Sequence, residues 1–173
     1  RVGGRVGEGA IGVEEQTVTT ERHGGSGVVA DPELSARAAQ LLYAYARAVD
    51  EGDADALGAL IADDAAITRV DGTHTGREAF LDVYRAFWSS PVQGSKHLVT
   101  NVQAFPEEGG LVRAEAYFQA VMFDPDGTRF VVGRYRDTLR ETAGGLRLAH
   151  KRIMIERVAV VRETQEWTGG SAD

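Results

Sequence analysis

The spacing of apolar residues changes from a helical to a strand period near Lys96, and this change constrains the fold more than any other feature of the chain. Before Lys96, apolar residues recur every three or four positions, as on one face of an α-helix. After it, they alternate or run continuously in four segments separated by glycine-bearing turns. Helices followed by a meander of long strands predict an α+β domain, with the helices gathered on one face of a strongly bent antiparallel sheet.

Three helices are predicted in the first half of the chain. The first begins after Asp31, which can cap a helix through its side chain, has Pro32 at its first position, and ends near Gly52. A short second helix is expected over residues 53–61 and a third over residues 77–89. The apolar stripe of the first helix consists of Leu34, Ala38, Leu41, Leu42, Tyr45 and Val49.

Five strands are predicted. A short strand over residues 65–69 precedes the third helix, and four long strands cover residues 96–105, 111–123, 128–140 and 146–158. The turns between the long strands are rich in Gly, Pro and acidic residues, which suits hairpins.

One domain, residues 31–160, is expected between two tails. Residues 1–30 contain eight glycines, no aromatic residue and no apolar period. Such a segment cannot bury enough surface to offset its ordering entropy, so we predict a flexible tail. Residues 161–173 are polar and are also expected to fray.

Composition excludes several classes of function. The chain has no cysteine, so it has neither disulfides nor thiolate metal sites. Its net charge of −7 repels a phosphate backbone, and we predict no nucleic-acid partner. Its apolar runs are far shorter than the ~20 residues that span a bilayer, and no signal peptide is apparent, so we expect a cytoplasmic protein without a membrane partner.

Two groups of residues resemble the SnoaL-like branch of the nuclear transport factor 2-like superfamily. The first half carries YARAVDEGDADAL (45–57), DDA (63–65) and GREA (76–79); the second carries KHLVTNV (96–102), GRYRDTL (133–139) and GLRLA (145–149). The resemblance implies a cone-shaped sheet wrapped on three helices around a deep pocket, assembled as a homodimer or homotrimer. Members include dehydratases, a dehydrochlorinase, cyclases, an isomerase and non-catalytic subunits.

The resemblance also implies a site. In the eliminating members, an Asp late in the first helix orients a strand His, which removes a proton from carbon. The matching residues are Asp50 and His97, so we expect them to be in contact, and Tyr45 matches a hydrogen-bond donor five residues before the Asp. The basic residue of the last strand falls on Lys151 or Arg152.

Further residues are candidates for lining the pocket. Aromatic candidates are Tyr84, Phe87, Trp88, Tyr117, Phe118, Phe123 and Tyr135. Asn101 either lines the pocket or caps a bend in its strand. No pair of the four histidines has metal-ligand spacing with a third ligand on one element, and acid–base chemistry of this kind needs no cofactor. We therefore predict neither metal nor cofactor.

Two functions fit these residues. The first is a cofactor-independent lyase of dehydratase type, or a related cyclase or isomerase, that acts on a small hydrophobic molecule. An imidazole with an ordinary pKa of about 6.5 can take a proton from carbon and return it to a leaving group. The second is a non-catalytic binding or assembly domain, in which Asp50 is a helix-end acid, and His97 and Tyr45 only pack. A pocket filled by Trp88 or Tyr135 would favour the second function.

Overall fold

The computed structural model describes residues 29–162 and confirms the α+β class. Its helices are α1 (Pro32–Glu51), α2 (Ala54–Leu60) and α3 (Arg77–Trp88), and its strands are β1 (Ile61–Arg69), β2 (Gly72–Thr75), β3 (Gly94–Pro106), β4 (Leu111–Asp124), β5 (Gly127–Thr142) and β6 (Gly145–Arg162). A 3₁₀ turn, Glu108–Gly110, joins β3 to β4. The predicted tails lie outside the described residues except at their inner ends.

The strands form one six-stranded sheet in the order β2-β1-β6-β5-β4-β3. The predicted meander is present, because β3, β4, β5 and β6 pair with their neighbours in antiparallel fashion. The expected antiparallel sheet has one exception, because β1 pairs with β6 in parallel. An apolar period predicts a strand and its buried face but contains no information on strand direction. The sheet is therefore mixed, and it is open rather than closed.

Several strand boundaries differ from the predicted ones, and one strand was missed. Strand β1 begins at Ile61, which was expected to end the second helix, and not at Ala65. Strand β6 runs through Val161 to Arg162 because its end pairs with the start of β5, with Val161 opposite Thr128. Residues 161 and 162 thus belong to the sheet and not to a tail. The short strand β2 was not predicted, since its four residues, Gly72–Thr75, are polar and have no apolar period.

The caps of α1 follow the prediction. The Asp31 side chain accepts a hydrogen bond from the Leu34 amide at 2.8 Å, with Pro32 in the first turn. At the other end, Gly52 adopts the left-handed conformation with φ of 70°, which glycine takes without steric cost. These two ends fix which turn of α1 carries Asp50.

Helix α1 lies along the free edge of the sheet, which β3 forms. The Asp31 amide donates to the Ala104 carbonyl at 2.9 Å, and the Ser35 hydroxyl accepts from the Ala104 amide at 2.9 Å. Near the other end of the helix, Asp50 accepts from the His97 amide at 2.7 Å. Because an edge strand exposes unpaired amides and carbonyls, these bonds both protect the edge and fix α1 against β3.

Candidate active site

Asp50 and His97 are in direct contact. Asp50 lies in the last turn of α1, and His97 lies near the start of β3. The His97 Nδ1 atom is 2.6 Å from Asp50 Oδ1, and the two side chains are only 11% and 9% exposed. The contact expected from the resemblance is therefore present, between residues 47 positions apart in sequence.

The Asp50 carboxylate accepts three hydrogen bonds. Its Oδ2 atom accepts from the His97 amide at 2.7 Å, and its Oδ1 atom accepts from both His97 Nδ1 and the Ser95 hydroxyl, the latter at 2.7 Å. Ser95 was not predicted from the sequence. The two-residue period of a strand is the signal that could have found it, since Ser95 and His97 project from the same face of β3.

These contacts decide the charge of the pair. Burial acts to raise the pKa of Asp50, but hydrogen bonds from the His97 side chain, the His97 amide and Ser95 outweigh it, so that the pKa lies below its ordinary value of 3.8. Asp50 is therefore ionised at neutral pH. An ionised carboxylate can only accept, so the proton between the two residues is assigned to His97 Nδ1. The lone pair of the neutral ring is then on Nε2.

A groove of about 200 Å³ between α1 and β3 reaches the pair. The hydrogen bonds of residues 29–162 include none to His97 Nε2, so this atom is not committed to a structural partner. The groove is more polar than the apolar pocket expected from the sequence. Its lining residues are Tyr43, Ala46, Arg47, Asp50, Glu51, Lys96 and His97.

The interior of the cone, where the deep pocket was expected, is filled by aromatic side chains. Tyr135 is 1% exposed and stacks on Phe118 with ring centroids 4.4 Å apart. Tyr45 is 2% exposed, meets Tyr135 edge-on at 6.2 Å, and shares a hydrogen bond between its hydroxyl and that of Tyr84. The Tyr45 hydroxyl is thus directed towards Tyr84. The predicted lining residues Tyr84 and Tyr135 both pack against the Tyr45 ring.

Lys151 belongs to this filled interior. It is fully buried, its Nζ atom donates to Asp137 Oδ2 at 2.8 Å, and Nζ lies 3.1 Å from the centre of the Tyr135 ring. Burial lowers the pKa of Lys151 to about 8, although Asp137 opposes this shift. Burial likewise raises the pKa of Asp137, against the attraction of Lys151. Asp137 was not predicted to have this role.

Arg152 points away from the interior. Its Nη1 atom donates to the Thr138 hydroxyl at 3.1 Å, while its backbone amide donates to Asp137 at 3.0 Å. Adjacent strand residues project to opposite faces, so only one of Lys151 and Arg152 could face inward. Of these two alternatives, Lys151 is the one whose side chain lies in the filled interior, and Arg152 instead contacts Thr138.

The remaining pocket candidates lie elsewhere. Trp88 is half-buried and donates from Nε1 to the Val49 carbonyl at 2.8 Å, which joins α3 to α1. Tyr117 is 54% exposed, and together with Asn101 it lines a separate cavity of about 380 Å³ over β3, β4 and β5. Asn101 has a φ of 55° where the pairing of β3 with β4 shifts register. Asn101 thus lies at a bend of β3 and also lines this cavity.

The contacts of His150 differ from those of His97. His150 Nε2 lies 2.8 Å from the Thr68 hydroxyl, and burial lowers its pKa. Within residues 29–162, no group of three or more His, Asp or Glu residues is arranged to hold a metal ion. No helix in the same part of the chain is long and apolar enough to cross a membrane.

A family model for the SnoaL-like domain matches residues 32–152, which include α1, the Asp50–His97 pair and Lys151. The chain belongs to the SnoaL-like domain family. No curated protein sequence matches it significantly.

Solved structures share the fold of this SnoaL-like domain. A hexachlorocyclohexane dehydrochlorinase from Novosphingobium barchaimii is 17% identical, with 79% of this chain and 97% of that one covered and a TM-score of 0.69. A candidate scytalone dehydratase from Novosphingobium aromaticivorans is 15% identical, covering 79% and 94%, with a TM-score of 0.66. A cystatin-like protein of unknown function from Nostoc punctiforme is 19% identical, covering 74% and 95%, with a TM-score of 0.60. At these identities, the similarity shows the fold alone.

Proposed function

We propose that this SnoaL-like domain is a cofactor-independent lyase of dehydratase type, with His97 as general base and Asp50 as its orienting acid. A related cyclase or isomerase would use the same base. The observation that carries the proposal is the geometry of His97, whose Nδ1 is fixed by an ionised Asp50 at 2.6 Å while Nε2 keeps no hydrogen-bond partner within the described chain. A base needs this combination of a fixed tautomer and a free lone pair.

The proposed reaction is an elimination. The Nε2 lone pair takes a proton from a carbon next to a carbonyl or similar activating group, and the C–H bond electrons form the new C=C bond. The neighbouring C–O bond then breaks, and the leaving oxygen takes a proton from the imidazolium and departs as water. Asp50 stabilises the imidazolium while it carries the extra proton. Acid–base catalysis of this kind contributes about 10² to 10⁴ in rate, and positioning must supply the rest.

The groove between α1 and β3 is the route by which we propose that substrate reaches Nε2. Its volume of about 200 Å³ suits a small molecule. The Tyr43 ring and Ala46 offer apolar contacts, and Lys96 offers positive charge. Arg47 also lines the groove, but its side chain is paired with Glu51 at 2.8 Å. We therefore propose a small, mostly hydrophobic substrate that carries a polar group.

A non-catalytic binding or assembly domain is the second candidate. The observation in its favour is the interior, where Tyr135 and its neighbours occupy the space expected for a pocket. In that case, the bonds of Asp50 to Ser95 and His97 serve only to attach α1 to the sheet edge. The two candidates differ in whether His97 exchanges protons with a bound molecule.

Proton exchange in D₂O separates them. The protein would be incubated with small ketones that bear either a β-hydroxyl, a β-chloride or no leaving group, and loss of the α-hydrogen signal followed by proton NMR. The lyase predicts deuterium incorporation or elimination in at least one compound, and its loss in His97→Gln. Thr100→Ala, which removes an exposed hydroxyl from the same strand, serves as the control and should retain the rate.

Two outcomes would contradict the proposed lyase. If a compound binds, as seen by line broadening, and exchanges no faster than in buffer, the binding domain replaces the lyase. If exchange occurs and His97→Gln leaves it unchanged, the base is a different residue.

A further inference from the structure

Ser95 is the one side chain besides His97 that donates to Asp50 among the described residues. It is 4% exposed, and its Oγ atom lies 2.7 Å from Asp50 Oδ1. A buried hydroxyl that donates to an ionised carboxylate makes a charge-assisted bond, about twice as strong as a neutral one. Ser95 therefore acts directly on the acid of the proposed pair.

The position of Ser95 follows from the strand. Ser95, Lys96 and His97 are consecutive in β3, so Ser95 and His97 share one face while Lys96 is exposed on the other. Asp50 enters from α1 between the two inward side chains, and its Oδ1 atom accepts from both. The serine hydroxyl and the histidine ring thus bind the same oxygen from neighbouring positions.

This geometry restricts the carboxylate. Two of the three bonds to the carboxylate, from the His97 amide to Oδ2 and from the His97 ring to Oδ1, come from one residue. The Ser95 hydroxyl fixes Oδ1 in the direction of Nδ1, and it also spreads the negative charge that would otherwise make Asp50 more basic. Both effects keep Asp50 ionised and aligned with the ring.

We propose that Ser95 is a positioning residue, which holds Asp50 Oδ1 in the orientation that fixes Nδ1–H of His97 and leaves Nε2 as the base. The proposal rests on the lyase function proposed above. Ser95 does not touch substrate; it acts through Asp50. Other groups also influence Asp50, namely Arg47 and Glu51 on α1, Lys96 and His97 on β3, and Tyr135 on β5. A test must therefore change Ser95 while leaving these groups in place.

The decisive measurement is the titration of the Asp50 carboxyl carbon by ¹³C NMR, which needs no substrate. Ser95→Ala should raise the Asp50 pKa by about one unit relative to the wild-type protein, since the carboxylate loses one of its charge-assisted hydrogen bonds. Ser95→Thr retains the hydroxyl and should restore the wild-type value. Thr100→Ala, on the exposed face of β3, should leave it unchanged.

Turnover gives the second readout. With a substrate identified by the exchange experiment, Ser95→Ala should lower kcat about tenfold, leave KM nearly unchanged, and move the acid limb of the pH–rate profile to higher pH. Melting temperatures of the variants show whether any change reflects loss of the fold instead. An Asp50 titration in folded Ser95→Ala that coincides with wild type would overturn the proposal. If the titration moves as expected and no compound is turned over, then Ser95 positions Asp50 as inferred and the lyase function fails.

Discussion

Two acid–base pairs in the described part of the chain have opposite surroundings. Asp50 and His97 lie at the free edge of the sheet, about one tenth exposed and next to a groove. Asp137 and Lys151 lie inside the sheet with no exposed surface, against the rings of Tyr135 and Tyr45. The two pairs have similar contact distances, 2.6 Å and 2.8 Å, so distance alone does not distinguish them.

The comparison shows that the environment decides what a pair can do. Three donors hold the pKa of Asp50 below its ordinary value, because they outweigh the effect of burial. Burial dominates at Asp137, whose pKa is raised although a lysine donates to it. A pair beside a groove can exchange a proton with a bound molecule. A fully buried pair cannot do so unless the side chains that cover it move. We therefore propose a chemical role for Asp50 and His97, and a structural role for Asp137 and Lys151.

The largest expected effect is on turnover. Asp50→Asn should lower kcat by about 10³ to 10⁴, because an amide neither stabilises the imidazolium nor selects the required tautomer. The fold should survive, since the amide oxygen can still accept from the His97 amide. Steady-state kinetics and circular dichroism measure the two quantities. If Asp50→Asn unfolds the protein and the fraction that stays folded keeps the wild-type rate, then the Asp50–His97 pair is structural, like the Asp137–Lys151 pair.

Substitutions in the Asp137–Lys151 pair should change the unfolding free energy and not turnover. Lys151→Met leaves the Asp137 carboxylate buried without its cation, which typically costs about 3–5 kcal/mol of unfolding free energy. Replacing both residues, as Lys151→Met with Asp137→Leu, should recover most of this loss. Urea unfolding measures both, with the exposed Lys96→Met as control. A Lys151→Met protein that is as stable as wild type would show that the pair is not sealed.

Tyr45→Phe provides a smaller effect that links the two regions. Its hydroxyl contacts that of Tyr84 in the interior, so its removal leaves a buried donor or acceptor without a partner, at a cost of about 1–3 kcal/mol. We expect stability to fall more than the rate does. Tyr43→Phe, two residues earlier and 46% exposed, is the matched control for stability. A hundredfold loss of kcat at unchanged stability would instead place the Tyr45 hydroxyl against the substrate.

A further expected effect is a pH dependence of stability from Lys151. Its folded pKa of about 8 lies below the ordinary 10.5, so between these values the unfolded chain binds more protons than the folded one. The unfolding free energy of wild type should therefore rise with pH in this window, relative to the Lys151→Met, Asp137→Leu double variant. Urea unfolding at pH 7.5 and 10 tests this. A falling difference would mean that Asp137 holds Lys151 charged despite burial.

Much of the fold could be predicted because its signals are local. The period change at Lys96 and the caps Asp31 and Gly52 gave the element types and the ends of α1. The parallel pairing of β1 with β6 could not be predicted, since a period carries no direction. The end of β6 at Arg162 was missed because it depends on a partner strand rather than on its own residues.

The site was predicted only in part, for a similar reason. The contact of Asp50 with His97 was expected from matched motifs, yet the motifs could not show that Tyr135 fills the interior. Whether a side chain lines a space or occupies it depends on packing among distant residues. Strand periodicity alone could have predicted that Ser95 lies beside His97. The contact of Asp137 with Lys151 could be predicted only from the register of β5 against β6.

The tautomer of His97 tests the central claim most directly, because a base with its lone pair on Nε2 requires the proton on Nδ1. Long-range ¹H–¹⁵N NMR of the wild-type protein, above the pH at which the ring loses its charge, distinguishes the two nitrogens. The account predicts a protonated Nδ1 and an unprotonated Nε2, with this preference lost in Asp50→Ala. A neutral ring that carries its proton on Nε2 would contradict it, since His97 would then have no lone pair to offer a substrate in the groove.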